Sequence, residues 1–183
     1  MFLLIPGLIV FFAAHLAIAV PGLRETLVVR FGKWPYKGMI AAISIAGFIL
    51  IVLGMGNAGH IGLWTPPPFA RPIATGLMPL AFILVIGAYV PCNLKRLLRH
   101  PMMLGVALWA GLHLLANGDL AGLLLFGSFF AYSLFILIVR RDIAPSARTY
   151  PAASDLVVVV SGIVLYATLL TLHPLLFGHA VVF

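Results

Sequence analysis

Long apolar stretches separated by short polar segments set the pattern of this chain. Six such stretches occur along its 183 residues, at about 2–20, 38–56, 73–91, 102–117, 120–139 and 155–173. Each approaches the roughly 20 apolar residues that an α-helix needs to cross the hydrocarbon core of a bilayer. The pattern therefore predicts an all-α bundle of six transmembrane helices, organised as one domain over residues 1–183.

The composition favours a membrane protein over a soluble one. Hydrophobic residues make up 63% of the chain and charged residues only 8%, whereas a soluble domain carries about 25% charged residues. The first stretch has no basic segment in front of it, so we expect a retained transmembrane helix rather than a cleaved signal peptide. No segment resembles a soluble nucleic-acid-binding module. We therefore expect the protein to associate with the lipid bilayer and not with a nucleic acid.

The basic residues fall on alternate loops. The first, third and fifth loops hold ten of the eleven Lys and Arg residues: Arg24, Arg30, Lys33, Lys37, Lys95, Arg96, Arg99, Arg140, Arg141 and Arg148. By the positive-inside rule these loops are cytoplasmic, which predicts that both termini lie outside. The first loop mixes apolar and basic residues at helical spacing, which is typical of a short helix along the inner membrane surface, with an ordinary polar connector as the alternative.

One ionisable residue, His113, lies inside the fourth apolar stretch. Such a side chain is costly at membrane depth and by default indicates a site with a partner. His113 could form a two-histidine haem site with His15 of the first stretch or with His173 of the last. The depths of these residues along their helices do not favour one pair over the other. The alternative for each histidine is a hydrogen bond to a neighbouring helix.

Other chemistry is sparse. The four acidic residues lie at helix ends or in loops: Glu25, Asp119, Asp142 and Asp155. No paired carboxylates suit general acid–base catalysis, and no glycine-rich phosphate loop occurs. Pro174, directly after His173, predicts the end of the last helix.

Four segments of the chain resemble the NnrU family of bacterial membrane proteins. They read PGLRETL, ISIAGFILIVLG, LWTPP and LRHPMMLGVALWAGLHLLANGDLAGLLLFGSF. The resemblance runs nearly end to end and implies a multi-pass protein of the bacterial inner membrane, linked to denitrification and nitrogen-oxide metabolism. The family is also similar to plant zeta-carotene isomerase, a membrane enzyme with a b-type haem.

The similarity to the isomerase implies a haem b with two axial histidines. The ligand positions of that enzyme match His15, in HLAIAVPGLR, and His113, which follows the Arg-His-Pro motif. The resemblance therefore favours His15 with His113 over His113 with His173. Two other positions depart from the isomerase, whose further histidine and cysteine correspond to Tyr132 and Ala110.

The same resemblance suggests a haem environment. Candidates to bind the propionates by charge pairing at the cytoplasmic side are Arg24, Arg96 and Arg99. Trp109 and Asn117, one turn on either side of His113, would shape the pocket. If the protein is an enzyme, the implied activity is haem-dependent isomerisation of an apolar polyene or another haem redox reaction.

Two other interpretations stay open. Arg99-His100-Pro101 followed by Gly105 is similar to a motif of isoprenylcysteine-type membrane methyltransferases, which bind S-adenosylmethionine. Those enzymes add a glutamate-rich segment after the following helices, and here that region reads VRRDIAPSARTYP, without glutamate. The second alternative is a membrane accessory protein without enzymatic activity.

Overall fold

The protein folds into α-helices joined by short connections. The computed structural model describes residues 1–20, 22–142 and 144–177. These residues form α1 (Leu4–Ala19), α2 (Leu23–Phe31), α3 (Lys33–Gly56), α4 (Ala70–Gly87), α5 (Leu94–Leu97), α6 (Pro101–Ala116), α7 (Leu120–Val139) and α8 (Ala152–Phe177). Internal contacts divide the chain into two compact units, Met1–Ile61 and Gly62–Phe183. The single domain over 1–183 stays a prediction.

Each of the six predicted apolar stretches forms a helix, so the all-α prediction is confirmed. Four helices, α3, α4, α7 and α8, are long and apolar enough to cross a membrane alone. Helix α1 reaches that length only together with α2, to which it is bent by 92°, and α6 is shorter. The described residues thus support four or five spans, and the count of six and the placement of the termini stay predictions.

The first loop contains the predicted short helix. Helix α2 has Glu25 in its first turn and Arg30 in its last, the arrangement that complements the helix dipole. None of its residues is buried. The short helix is therefore confirmed, whereas its position on the inner membrane surface stays a prediction.

Glycines set the packing of the unit Met1–Ile61, where α1 lies against α3. A Cβ added at Gly7 would come within 2.7 Å of the Ile51 nitrogen, and one at Gly54 would overlap the backbone of Leu4. A residue near the start of α1 thus faces the end of α3, so the two helices are antiparallel. Small residues allow such close backbone contact between apolar helices, which compensates for the weak hydrophobic drive to associate in lipid.

In the unit Gly62–Phe183, α4 packs against both α6 and α8. On α6, Gly105 lies against the Ala81 carbonyl, where an added Cβ would come within 2.7 Å of the oxygen. Leu112, further along α6, belongs to one buried cluster with Ala74, nearer the start of α4. Because residue numbers rise on one helix as they fall on the other, α4 and α6 are antiparallel.

Helix α8 also runs antiparallel to α4. An added Cβ at Gly162 would come within 2.8 Å of the Ile83 backbone. Later in α8, the Tyr166 hydroxyl donates a hydrogen bond of 3.0 Å to the Thr75 carbonyl. Because α6 and α8 both run antiparallel to α4, they are parallel to each other. The C-terminal parts of α6 and α8 therefore both lie beside the start of α4.

The prediction that the last helix ends at Pro174 is wrong. Helix α8 continues to Phe177 with Pro174 inside it. A proline removes one backbone hydrogen bond, here the bond to the Leu170 carbonyl, and helices in apolar surroundings tolerate such a loss.

The turn between α6 and α7 is fixed to the segment before α4. The Gly118 carbonyl accepts hydrogen bonds from the backbone nitrogens of Leu63 at 2.7 Å and Trp64 at 3.1 Å. The Asp119 carboxylate caps α7 by accepting a bond of 2.8 Å from the Gly122 nitrogen. These contacts hold the turn after α6 against the segment that precedes α4.

At the opposite end of the unit, the Asn93 amide joins three segments. Its Nδ2 donates to the Tyr150 carbonyl at 2.9 Å and to Asp155 Oδ2 at 2.7 Å. Its Oδ1 accepts a bond of 3.0 Å from the Tyr150 nitrogen, and its backbone nitrogen donates to Asp155 Oδ1 at 2.8 Å. The start of α8 is thereby fixed to the connection between α4 and α5.

Candidate functional site

Aromatic side chains surround His113, which lies in the last turn of α6. Its ring stacks on Phe126 of α7, with centroids 4.3 Å apart and planes inclined by 23°. Trp109 is on the same helix, and its ring centroid lies 5.0 Å from that of His113. The Trp109 ring packs edge-on against both Phe126 and Phe129. The imidazole therefore occupies a flat, apolar environment.

A hydrogen bond to the backbone determines which ring nitrogen of His113 carries the hydrogen. Its Nδ1 lies 2.9 Å from the Trp109 carbonyl oxygen, and because a carbonyl only accepts, Nδ1 must carry the hydrogen. In a neutral ring the lone pair is then on Nε2, which is the form that ligates metals. Asn117 donates from Nδ2 to the His113 carbonyl at 2.8 Å, so both predicted neighbours, Trp109 and Asn117, contact this residue.

His15 has the same local arrangement in the unit Met1–Ile61. Its Nδ1 lies 2.8 Å from the Phe11 carbonyl, and its ring stacks on Phe11 at a centroid distance of 4.1 Å. This side chain is partly buried. Because His15 and His113 belong to different compact units, their pairing stays a prediction.

The alternative ligand, His173, lies in the same unit as His113. Helices α6 and α8 are parallel, and both histidines lie in the later part of their helices, toward the start of α4. The His173 ring also contacts Phe177, with centroids 4.9 Å apart. The structure thus brings His113 and His173 to the same end of the unit.

The pairing of Arg24, Arg96 and Arg99 with haem propionates stays a prediction. Arg96 and Arg99 precede α6, whereas His113 lies about 18 Å further along that helix at 1.5 Å per residue. Arg99 donates from Nη1 to the Arg141 carbonyl at the end of α7. Arg24 is exposed on α2 of the other unit. The structure therefore brings neither Arg96 nor Arg99 to His113.

Two residues of α4 and α8 toward the end at which α6 finishes were not singled out as site residues from the sequence. Arg71 lies in the first turn of α4, the end of that helix beside which α6 finishes. Tyr166 packs against the buried cluster that Trp109 also contacts. A tyrosine within an apolar helix is a usable signal, because its hydroxyl needs a polar partner when buried.

An apolar cavity of about 160 Å³ lies between α4 and α6, lined by Ala81, Phe82, Val85, Val106 and Trp109. Pockets for drug-sized ligands measure roughly 300–1,000 Å³, so this cavity suits only a small apolar group or part of a longer molecule. No group of three or more His, Cys, Asp or Glu side chains that could hold a metal occurs within residues 1–20, 22–142 and 144–177.

Apolar helices of spanning length, packed through glycines, define a helical membrane protein with one imidazole enclosed by aromatic rings. The family model described as NnrU protein matches residues 3–181 of the chain. The chain therefore belongs to the NnrU family, which confirms the resemblance noted from its segments. No curated protein and no solved structure matches the chain.

Proposed function

We propose that this protein binds a haem b in the bacterial inner membrane, with His113 as one axial ligand. The carrying observation is the hydrogen bond from His113 Nδ1 to the Trp109 carbonyl. This bond orients the ring and leaves the Nε2 lone pair available for a metal, as hydrogen bonds to backbone carbonyls do for metal-binding histidines elsewhere. When bound, the haem would supply one-electron redox chemistry at a potential set by its axial ligands.

The residues around His113 would support that role without touching the iron. The Phe126 ring, stacked on the imidazole, would restrict its rotation and exclude water. Asn117 donates to the His113 carbonyl and so stabilises the last turn of the helix that presents the ligand. As second ligand we propose His15, the position that the resemblance implies, with His173 as the alternative.

The Arg-His-Pro motif has a structural role that needs no S-adenosylmethionine. Arg99 donates to the Arg141 carbonyl, and His100 Nε2 donates to the Arg140 carbonyl at 2.8 Å. Both acceptors lie at the end of α7, where cationic side chains satisfy free carbonyls and complement the helix dipole. This capping role favours the haem proposal over the methyltransferase alternative.

An apolar substrate is the second part of the proposal. The cavity beside Trp109 is lined only by apolar side chains, which suits a segment of a polyene. Isomerisation of such a molecule is therefore the activity we propose if the protein is an enzyme, and a link to nitrogen-oxide metabolism follows from the family resemblance. A non-enzymatic accessory role is the remaining alternative.

The haem proposal predicts a coloured protein. Protein purified in detergent from haem-replete cells should show a Soret band and the spectrum of a low-spin b-type haem, because two imidazoles give six-coordinate iron. His113→Ala should abolish that spectrum or leave it high-spin. His15→Ala should do the same, and the measurement is absorbance in the oxidised and reduced states.

The matched control is His60→Ala, because His60 is exposed in the segment before α4 and its loss should leave the spectrum unchanged. His179, a second outer histidine, lies outside the described residues. Normal haem binding by His15→Ala together with loss in His173→Ala would show that the pairing is wrong. A colourless wild-type protein under haem supplementation would refute the proposed function.

The topology can be tested independently. The distribution of ten basic residues on three alternate loops predicts that both termini lie outside the cytoplasm. An alkaline phosphatase fused after Phe183 should therefore be active, and a green fluorescent protein at the same place should be dark. The reverse pattern would exclude six spans with both termini outside.

A further inference from the structure

Segments that carry basic residues meet at the end of the unit Gly62–Phe183 where α7 finishes. His100 and Arg99 bind the carbonyls of Arg140 and Arg141, and the Ser146 nitrogen donates to the Lys95 carbonyl at 2.9 Å. These bonds bring together α5, the start of α6 and the segment after α7. We call the resulting cluster the basic end: Lys95, Arg96, Arg99, Arg140, Arg141 and Arg148.

Acidic side chains do not neutralise the basic end. Its six positive charges face two negative ones, Asp142 and Asp155, which leaves a net charge of +4 (six minus two). Asp142 lies 4.0 Å from Arg141, but both side chains are highly exposed, at 93% and 76%, so water screens this pair. Asp155 accepts two hydrogen bonds from Asn93.

Arg96, Arg99, Arg141 and Arg148 have N–H donors that can bind a further acceptor. A guanidinium carries five N–H groups in a planar fork that matches a phosphate, and the one bond found for Arg99 uses one of them. Arg96, Arg141 and Arg148 are exposed. The cluster therefore offers several outward guanidinium groups at once, which suits an anionic phosphate.

Apolar surface lies directly beside these charges. Leu97, which follows Arg96, is 72% exposed, and Ile138 near the end of α7 is 66% exposed. A free phosphate has no apolar part that could cover such side chains, whereas a lipid covers them with its acyl chains. The combination of phosphate donors and adjacent apolar surface at the end of membrane-length helices is typical of a lipid headgroup site.

We propose that the basic end is a binding site for an anionic phospholipid. Its phosphate accepts hydrogen bonds from Arg96, Arg99 and Arg141, and its acyl chains cover Leu97 and Ile138. The test of this inference measures lipid affinity and not the haem spectrum, so its outcome can be told apart from that of the haem proposal. The lipid site lies before the start of α6, whereas His113 lies in the last turn of that helix. Arg71, at the opposite end, is the one Lys or Arg between residues 57 and 94, so the two ends differ in their expected lipid binding.

Native mass spectrometry of the detergent-purified full chain, titrated with phosphatidylglycerol, tests the proposal. Each basic residue near the headgroup strengthens binding of an anionic lipid about fivefold. Arg141→Gln should therefore weaken phosphatidylglycerol binding about fivefold, and Arg96→Gln/Arg141→Gln about 25-fold. Arg96→Gln/Arg148→Gln, which leaves Arg141 in place, should give a loss of similar size.

Arg71→Gln is the matched control, since it removes the same charge from the other end and should leave the affinity unchanged. Phosphatidylcholine, with no net charge, should bind weakly and equally to all variants. Equal phosphatidylglycerol affinity in the wild type and both double variants would overturn the proposal, as would an equal loss in Arg71→Gln. Competition by millimolar inorganic phosphate beyond that of sodium chloride would instead assign the cluster to a soluble anion.

Discussion

Gly54→Ala should destabilise the pair of helices α1 and α3 strongly. The added methyl group would overlap the backbone of Leu4, and a backbone cannot move aside as the end of a flexible side chain can. Overpacking of this kind costs about 2 kcal/mol, which outweighs the gain of about 1 kcal/mol from replacing glycine within a helix. The measurement is the midpoint of unfolding in sodium dodecyl sulfate, followed by far-UV circular dichroism.

The same helix provides a close control. Gly56 lies two residues further along α3, and an added Cβ there meets no atom within 4 Å. Gly56→Ala should therefore leave the midpoint unchanged or raise it slightly through helix propensity. Equal midpoints for Gly54→Ala and Gly56→Ala would show that the two helices do not approach as closely as described.

Asn93→Ala should open the end of the unit at which α8 begins. The substitution removes two bonds to the backbone of Tyr150, each with a net contribution of about 1 kcal/mol, and a further bond to Asp155. The neighbouring Cys92 is 1% exposed and is the one cysteine of the chain. The rate at which Cys92 reacts with a thiol reagent under native conditions is proportional to the fraction of molecules in which this end of the unit is open. Loss of about 2 kcal/mol should therefore make labelling about 30-fold faster.

Asn57→Ala controls for the loss of an amide side chain. Asn57 makes an exposed bond of 2.7 Å to the Leu53 carbonyl of its own helix, and its removal should leave the labelling of Cys92 unchanged. Asp155→Ala should accelerate labelling, and adding it to Asn93→Ala should bring little further increase because both changes break one network. Unchanged labelling in Asn93→Ala would contradict the joining role of this residue.

The helices were predictable because apolar length is a strong signal. A stretch of apolar residues can satisfy its backbone in lipid only by forming a helix or a closed barrel, and every stretch identified from the sequence contains a helix. The exception at Pro174 arose because a proline within an apolar helix need not end it. Apolar residues continue α8 for three positions beyond Pro174, to Phe177.

Contacts within one helix were predictable and contacts between helices were not. Trp109 and Asn117 are four residues from His113, so helical geometry alone places them beside it. Phe126, whose ring stacks on His113, comes from another helix, and nothing in the sequence indicated which of the apolar faces of α7 meets α6. The same limit explains why Arg71 and Tyr166 were missed.

The arginines illustrate a further limit. Charge position along the chain predicts on which side of a membrane a loop lies, but it does not predict which acceptor a long side chain finds. Arg99 donates to the Arg141 carbonyl, an acceptor that the sequence did not indicate, because the end of α7 presents free carbonyls close to the start of α6. Binding of haem by the chain stays a proposal that the spectra will decide.

The division of contacts between the two units has a consequence for how the protein is made. The glycine contacts between α1 and α3 join residues within the unit Met1–Ile61, so this hairpin can assemble while the rest of the chain is still being translated. Helix α4 differs, because its partners include Gly105 on α6 and Gly162 on α8, the last helix to be synthesised. The side of α4 that packs on α6 can therefore be covered earlier in synthesis than the side that packs on Gly162, which gains its partner only after α8 has been made.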